Sequence, residues 1–278
     1  MSVFYRLFYS FIYTSKVLWA TKKEWPFRYW ARFWASFAEE KEIMFRGIKF
    51  LVRAHSLPAK LIDLYVITEN FADMAYFPER SAIPAGATVI DIGAHIGAFS
   101  LYAASATPKS RVYAFEPFPP NFSFLKKNIA LNSFSNVMAS DTAISKDNSP
   151  RELFVNPLNS SGHSLTKKTS KAVGVKCRSL EKIFADFHID FCDFLKLDCE
   201  GGEYDILFAA PKSILDKIGI ISMEYHSPHL FDVSRDRRLP EKLAQYLREA
   251  GFTVDLRHSN RERGYIYATR ARHPSNLL

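Results

Sequence analysis

The chain has 278 residues, of which 47% are hydrophobic and 24% are charged, a composition typical of a globular domain with a short additional segment. Its three cysteines are too few and too oddly numbered for a disulfide framework, and no Cys-x-x-Cys pair indicates a zinc site. No run approaches the roughly 20 apolar residues of a membrane-spanning helix, and the first residues make a poor signal peptide. We therefore expect a reducing, cytoplasmic compartment.

Positive charge is concentrated at the start of the chain. The formal net charge is +8, and residues 1–60 hold 11 Lys or Arg against 4 Asp or Glu. All four tryptophans lie there, and aromatic residues recur at helical spacing in the runs 4–12 and 30–37. We expect residues 1–60 to form two amphipathic helices and residues 61–278 to form the main domain.

The aromatic faces of this N-terminal segment have two interpretations. They either contact an anionic membrane surface, with the protein peripheral to the membrane, or pack on the rest of the protein as a lid or subunit contact. Nucleic-acid binding is not expected, because no recognised reader motif accompanies the basic residues. The oligomeric state is left open.

Beyond residue 60 the pattern alternates between strands and helices. Apolar runs rich in branched residues predict strands at 61–67, 87–92, 111–115, 137–144, 191–197 and 219–223. Helical spacing predicts helices at 98–106, 122–129, 180–187 and 241–249. Alternating residues predict an inserted hairpin at 151–155 and 172–177 and an antiparallel edge at 252–257 and 265–268. The alternation as a whole predicts an α/β fold with a largely parallel sheet.

Polar residues follow four of the predicted strands. They are the loop 91–97, Glu116, the run 198–203 and the run 224–226. Because ligands bind outside the carboxyl ends of the strands in open α/β sheets, we expect these four groups to converge on one crevice.

The glycine loop distinguishes between two cofactor classes. A dinucleotide fingerprint is Gly-x-Gly-x-x-Gly, but His95 stands at its second glycine and Ala98 at its third. The remaining spacing, Gly93-x-x-x-Gly97, suits a cofactor without phosphate such as S-adenosylmethionine (SAM), which needs only close approach of the backbone. Glu116 supplies a carboxylate that can accept hydrogen bonds from ribose hydroxyls. The sequence favours SAM over a nicotinamide dinucleotide.

Four motifs in combination resemble those of the FkbM-type SAM-dependent methyltransferases: VIDIGAHIG at 89–97, AFEP at 114–117, TAIS at 142–145 and FLKLDCEGGE at 194–203. The resemblance covers about residues 50 to 230, and it includes the upstream segment 63–76. It departs from the family at His95, where asparagine is usual. It implies a Rossmann-like, seven-stranded class I methyltransferase sheet with helices on both faces, and O-methylation of a hydroxyl as the usual activity.

The resemblance also implies a set of cofactor-binding residues. Asp91, Gly93 and Gly97 are expected around the methionyl end of SAM, and Glu116 on the ribose hydroxyls. The remaining cofactor candidates are Glu69, Tyr76 and His95, with Asp141, Thr142 and Ala143 near the adenine.

Methyl transfer to a neutral alcohol needs a base or a metal ion to weaken the O–H bond. His226 is the first candidate base, since it follows Glu224 at a strand end and can titrate near neutral pH. Asp198 and Glu200 are competing candidates, at a position where some methyltransferases of this fold hold a divalent metal. We expect no metal, because neighbouring carboxylates more often accept hydrogen bonds from loop backbone.

Three other polar residues have a structural and a functional interpretation. Lys196 is expected in an ion pair at the end of the sheet, with substrate contact as the alternative. His163 and His229 are interpreted as ordinary loop residues, again with substrate contact as the alternative.

Two hypotheses of different classes follow. The first is a SAM-dependent O-methyltransferase acting on a sugar, glycolipid or natural-product hydroxyl, with an acceptor pocket built from the inserted hairpin and the N-terminal segment. The second is a non-catalytic binding or scaffolding module. Glu116 and the small-residue loop favour the first, since a degenerate copy has no physical need for them. A nicotinamide oxidoreductase is the runner-up enzyme, disfavoured by His95 and Ala98.

Overall fold

The computed structural model describes residues 3–77, 83–106, 109–226, 239–260 and 263–270, with side chains from residue 12 onward. Its helices are α1 Val3–Glu24, α2 Phe27–Ala35, α3 Leu57–Phe71, α4 Ala98–Ala106, α5 Pro119–Leu131, α6 Leu180–Asp186, α7 Glu203–Ala209, α8 Lys212–Leu215 and α9 Pro240–Glu249. Its strands are β1 Glu40–Phe45, β2 Ile48–Arg53, β3 Thr88–Ile92, β4 Arg111–Phe115, β5 Val137–Ser140, β6 Ala143–Ile144, β7 Arg151–Phe154, β8 Ala172–Val175, β9 Cys177–Arg178, β10 Cys192–Leu197, β11 Ile218–His226, β12 Thr253–His258 and β13 Arg263–Thr269. Within these ranges, no helix is both long and apolar enough to cross a membrane.

A seven-stranded sheet lies at the centre, in the order β12-β13-β11-β10-β3-β4-β5. Neighbouring strands are parallel except at β13, which runs antiparallel to both β11 and β12. The order reverses between β3 and β10, so the sheet has its topological switch point there. Alternate residues of β3 face opposite cores: Ile90 and Ile92 pack with α6, α7 and α9, and Val89 packs with α4. The α/β fold with helices on both faces is confirmed.

Most predicted elements are confirmed, and two are wrong. The run 61–67 lies inside helix α3. Ser56 caps the start of this helix by accepting a hydrogen bond from the Ala59 N–H at 3.3 Å. A short apolar run fits a buried helix as well as a strand. The run 137–144 is two strands, since β5 ends at Ser140 and β6 then pairs with β9 in a separate small sheet.

The sequence reading also missed an antiparallel hairpin, β1–β2. Its two-residue turn is Arg46-Gly47, and both residues have positive φ, at 48° and 81°. Positive φ at both central positions is the geometry of the type I′ turn that suits tight hairpins. Residues 40–53 therefore form two strands inside the segment 1–60, for which only helices were predicted.

The described part of the N-terminal segment packs on the main domain. Trp25 and Phe33 are buried in one apolar cluster with Phe124 of α5. The buried Lys60 ammonium donates to the carbonyl oxygens of Phe33 at 2.9 Å and Ser36 at 2.6 Å, which fixes the end of α2 to α3. Packing thus accounts for one aromatic face, and the boundary at residue 60 stays a prediction.

A buried ion pair connects this segment to the site described next. Arg53 in β2 contacts the Asp63 carboxylate at 3.1 Å, and both side chains are nearly inaccessible to solvent. The Arg53 guanidinium also donates to the Asn121 side-chain oxygen at 2.5 Å, and Asn121 in turn donates to the Ser160 carbonyl oxygen at 2.9 Å. The N-terminal hairpin, helix α5 and the β7–β8 insert are joined by these contacts.

Candidate active site

A cleft that is partly open to solvent lies at the carboxyl ends of β3, β4 and β10. Clefts at a switch point are typical small-molecule sites. The charged residues on its wall are Glu69, Glu116, Lys196, Asp198 and Glu200. Three of the four predicted strand-end groups therefore converge here, and the fourth, at 224–226, lies beside the wall rather than on it.

The glycine loop after β3 requires glycine at Gly93. Its φ is +80°, and a Cβ there would lie 1.8 Å from the Asp198 carbonyl oxygen. His95 follows with φ 50°, a left-handed conformation in which Asn, Asp and His are enriched. The substitution of the usual asparagine by His95 is therefore compatible with the backbone of the loop.

Glu116, directly after β4, orders this loop. Its Oε2 accepts the N–H of His95 at 2.8 Å, and its Oε1 accepts the N–H of Phe118 at 2.9 Å. Burial raises the pKa of Glu116 to about 7, and the two backbone hydrogen bonds oppose that shift. The Asn121 side chain also hydrogen-bonds to Glu116, and because a carboxylate has about four acceptor positions, Glu116 keeps acceptor capacity for a group in the cleft.

Asp91 lies beneath the loop and is fully buried. Its carboxylate contacts the Lys196 ammonium at 3.1 Å and accepts the Ser100 hydroxyl at 2.6 Å. Lys196 also donates to the Gly93 carbonyl oxygen at 2.8 Å. Burial lowers the pKa of Lys196, but the charges of Asp91 and Asp198 together raise it above its ordinary value. The ion pair expected for Lys196 is present, and it supports the glycine loop from below.

Gly97 and the predicted adenine residues differ in their access to the cleft. A Cβ at Gly97 would lie 2.7 Å from side chains of Leu101 in α4 and of Leu125 in α5, so this glycine serves helix packing. Ala143 is on the cleft wall. Thr142 is buried and accepts the Ser140 hydroxyl at 3.0 Å, whereas Asp141 is exposed.

The opposite end of the cleft is acidic. Tyr76 donates its hydroxyl to Asp198 at 2.8 Å, and Tyr65 and Tyr265 both donate to Glu69 at 3.0 Å. Burial, followed by the charge of Asp198, raises the pKa of Glu69. Glu69 and Tyr76 thus lie together with Asp198 on one wall, as their assignment to a common site requires.

His226 is held by carboxylates. Its Nδ1 lies 3.2 Å from Glu203 and its Nε2 lies 3.6 Å from Glu200. Burial lowers the pKa of His226, but Glu200 and Glu203 raise it more, so the imidazole is protonated at neutral pH. Burial raises the pKa of Glu200, on the cleft wall, to about 7. His226 is the last residue of β11, which extends past the predicted end.

The Methyltransferase FkbM domain family matches residues 91–254, which is more than half of the chain. The chain belongs to the FkbM methyltransferase family. The matched region runs from Asp91 of the glycine loop into β12, so it contains most of the central sheet and most of the cleft wall. Membership confirms the resemblance to this family of SAM-dependent methyltransferases.

Curated relatives of this FkbM methyltransferase include two fungal proteins. It is 28% identical to Methyltransferase 1 of Beauveria bassiana, over 55% of this chain and 68% of that protein. It is 24% identical to Methyltransferase sdnD of Sordaria araneosa, over 64% of this chain and 86% of that protein. It is also 26% identical to the AMB antimetabolite synthetase AmbE of Pseudomonas aeruginosa, where 77% of this chain spans only 12% of the synthetase.

Solved structures with similar topology include TYW2 of M. jannaschii in complex with AdoMet, at a TM-score of 0.45 and 16% identity, over 85% of this chain and 89% of that chain. Another is an O-methyltransferase family protein from Burkholderia thailandensis, at a TM-score of 0.42 and 14% identity, over 77% of this chain and 59% of that chain. The fold assignment of this FkbM methyltransferase rests on its own sheet order.

The cleft of the FkbM methyltransferase fits SAM. Gly93 allows close approach to the backbone, Glu116 has acceptor positions for a diol, and the acidic end suits a cationic group. The described charged residues of the wall are four carboxylates and one lysine, and that lysine is paired with Asp91. Such a wall disfavours the pyrophosphate of a nicotinamide dinucleotide.

Donor atoms of Asp198, Glu203 and His226 lie within 4.8 Å of one another, close enough to share a cation. Glu203 already accepts the N–H groups of Cys199 and Gly201, both at 2.9 Å, besides contacting His226. Backbone hydrogen bonds and the His226 ion pair therefore already engage the Glu203 carboxylate. The residues that lie close enough to share a cation therefore differ from the predicted metal-ligand candidates, Asp198 and Glu200.

Sequence reasoning missed several functional residues of the FkbM methyltransferase. Glu203 orders the 198–203 loop from the start of α7, and its only sequence signal was its place at the end of a motif. His163, interpreted as a loop residue, lines the cleft together with Ser160 of the same insert. His229 lies outside the described residues. No local pattern indicates which insert residues face a cleft.

Proposed function

We propose that this FkbM methyltransferase transfers the methyl group of SAM to a hydroxyl of a small acceptor such as a sugar, glycolipid or natural product. The observation that carries the proposal is Glu116, which lies on the cleft wall directly after β4 and is fixed by two backbone hydrogen bonds. A carboxylate in this position suits the ribose hydroxyls of the cofactor. When bound, SAM supplies a methyl group on a sulfonium, which needs no further activation.

In this proposal the acidic end of the cleft binds the cationic end of the cofactor. Glu69 and Asp198 provide the charge, and three tyrosine hydroxyls hold these carboxylates in place. Tyr76 and Lys196 lie 5.2 Å apart, ring centroid to ammonium, and complete this wall. The fixed carboxylates act before the reaction by positioning the methyl group toward the acceptor.

We assign the proton acceptor to Glu200 and give His226 a supporting role. Glu200 is on the cleft wall and has a pKa of about 7, so its carboxylate can take the proton from the acceptor hydroxyl near neutral pH. The protonated His226, 3.6 Å away, stabilises the Glu200 anion before that transfer. The O–H proton goes to Glu200 as the new C–O bond forms and the S–C bond breaks.

We further propose that the N-terminal segment contacts an anionic membrane surface. Trp19, Phe27 and Phe37 are 67%, 69% and 59% exposed, although neighbouring aromatic residues are buried. Lys23 lies 5.3 Å from the Trp19 ring, so cationic and aromatic groups occur together. Binding to anionic vesicles, its loss in W19A/F27A and its retention in L158A test this. Equal sedimentation of the wild-type protein without and with anionic lipid would refute it.

Calorimetric titration with S-adenosylhomocysteine (SAH), with NAD in parallel, tests the cofactor. We expect saturable binding of SAH alone. Transfer of a labelled methyl group from SAM to hydroxylated acceptors then tests the reaction. SAH binding without transfer to any sugar, lipid or natural-product acceptor would favour the non-catalytic alternative, and NAD binding alone would favour the oxidoreductase.

A further inference from the structure

The β7–β8 insert is fixed against the cleft at several points. Ser164 exchanges two backbone hydrogen bonds, at 2.8 and 3.1 Å, with the last residue of β7. Its hydroxyl donates to the Glu200 carbonyl oxygen at 2.6 Å, while Asn121 donates to the Ser160 carbonyl oxygen. These contacts hold His163, between Ser160 and Ser164, on the cleft wall.

The hydrogen bonds of His163 determine its tautomer. Its Nδ1 accepts the N–H of Asn156 at 3.0 Å, so this nitrogen carries no proton. Burial, followed by the charge of Arg53, lowers the pKa of His163 to about 4, and the ring is neutral at pH 7. A neutral imidazole carries its single proton on the other nitrogen, so Nε2–H is a donor.

This donor is buried and has no hydrogen-bond partner among the residues that the structure describes. A buried N–H without a partner costs about 1–3 kcal/mol, so native proteins seldom retain one without a reason. A donor fixed in this way on the wall of a ligand cleft indicates an acceptor atom on the ligand.

The surroundings of His163 identify the part of the ligand. Its ring packs at 3.9 Å, centroid to centroid, on Phe118, whose N–H donates to the proposed ribose-binding carboxylate Glu116. Apolar side chains line the adjacent cleft wall: Ala143, Ile144, Leu153 and Leu165. An apolar slot beside the ribose site suits a flat heterocyclic base, and the adenine ring offers acceptor nitrogens to an N–H donor.

We infer that His163 recognises the adenine of the cofactor, with its Nε2–H donating to a ring nitrogen of the base. The inference rests on the proposed function, because it places the nucleoside beside Glu116. It assigns the inserted hairpin to cofactor recognition, in addition to any role that it has toward the acceptor.

The test is calorimetric titration of the full chain with SAH and with its 1-deaza, 3-deaza and 7-deaza analogues. H163F keeps a ring of similar shape against Phe118 without the donor, and we expect it to bind SAH about 5- to 50-fold more weakly than wild type. The deaza analogue that lacks the accepting ring nitrogen should bind wild type more weakly than SAH does, by the same factor. H163F should bind this analogue and SAH equally. H163Q, whose amide can reach the position of Nε2, should recover part of the lost SAH affinity. The matched control is L158A, because the Leu158 side chain of the same insert is 84% exposed, and this variant should bind SAH as wild type does.

Nitrogen NMR of labelled protein provides an independent readout, since bound SAH should shift the Nε2–H signal of His163 downfield. Unchanged SAH affinity in a folded H163F, or full wild-type affinity for all three deaza analogues, would overturn the inference alone. A wild-type protein that fails to bind SAH would overturn the proposed function, and the inference with it.

Discussion

Replacing Glu116 by glutamine tests the ribose assignment with the smallest possible change of shape. The carboxylate accepts one backbone N–H on each oxygen, from His95 at 2.8 Å and from Phe118 at 2.9 Å. The amide keeps one oxygen, so its NH₂ must face one of these donors. That loss is the same with and without ligand, and it therefore lowers the free energy of unfolding rather than the affinity.

The affinity reports the ribose contact. E116Q replaces one carboxylate oxygen, which can accept from the ribose diol, by an NH₂ group, which donates. Loss of one charged hydrogen bond weakens SAH binding by about 1–3 kcal/mol, or roughly 5- to 150-fold. The measurement is calorimetry at pH 8, above the pKa of about 7 that burial gives Glu116. E39Q, which changes an exposed glutamate, is the matched control.

Two further results belong to the same experiment. The 2′,3′-dideoxy analogue of SAH should bind wild type and E116Q alike, because it lacks the hydroxyls that Glu116 accepts. Wild-type affinity for SAH should fall as the pH drops from 8 to 6 and Glu116 takes up a proton, and this fall should be shallower in E116Q. An E116Q protein with undiminished affinity for SAH at pH 8 would refute the ribose assignment.

Three other predictions concern the base, the glycine loop and the cation. Methyl transfer should rise with pH through about 7 as Glu200 ionises, and E200Q should lose this limb together with most of kcat; a retained limb would return the role of base to His226. G93A should lower the free energy of unfolding in urea by about 3 kcal/mol or more, because its Cβ would lie 1.8 Å from a backbone oxygen. G86A, with φ +73° and open space around the Cβ, should lower it by only about 1 kcal/mol. Equal losses of unfolding free energy in the two variants would contradict the clash at Gly93. Wild-type activity should survive EDTA, and its loss and recovery with Mg²⁺ would identify a metal at Asp198, Glu203 and His226.

The glycine loop and the strand ends could be read from the sequence because their signals are local. An apolar run followed by Gly93 and a second followed by Glu116 already define two strand ends of a parallel sheet. The inserted hairpin could also be predicted, because its alternating residues correspond to the antiparallel strands β7 and β8.

The remaining features depend on contacts between distant residues. The tautomer of His163 depends on Asn156 and its environment on Phe118, and no spacing along the chain encodes that pairing. The sequence makes His226 the first candidate base because it does not show that the carboxylates of Glu200 and Glu203 reach the imidazole. Helix α3 was not predicted because its apolar run covers only residues 61–67, and a run of that length is also typical of a strand.

The Arg53–Asp63 ion pair sets a limit on how this catalytic unit can be cut or transplanted. The family match starts at residue 91, but an excised 91–254 segment would leave behind β2 and α3, whose side chains fix Asn121 and so the insert. A cut between Arg53 and Asp63 would be worse, since an unpaired buried carboxylate costs about 3–5 kcal/mol. Fusions and chimaeras should therefore keep the β1–β2 hairpin and α3 together with the matched segment, and they should also keep α2, because Lys60 of α3 donates to the carbonyl oxygens at its end.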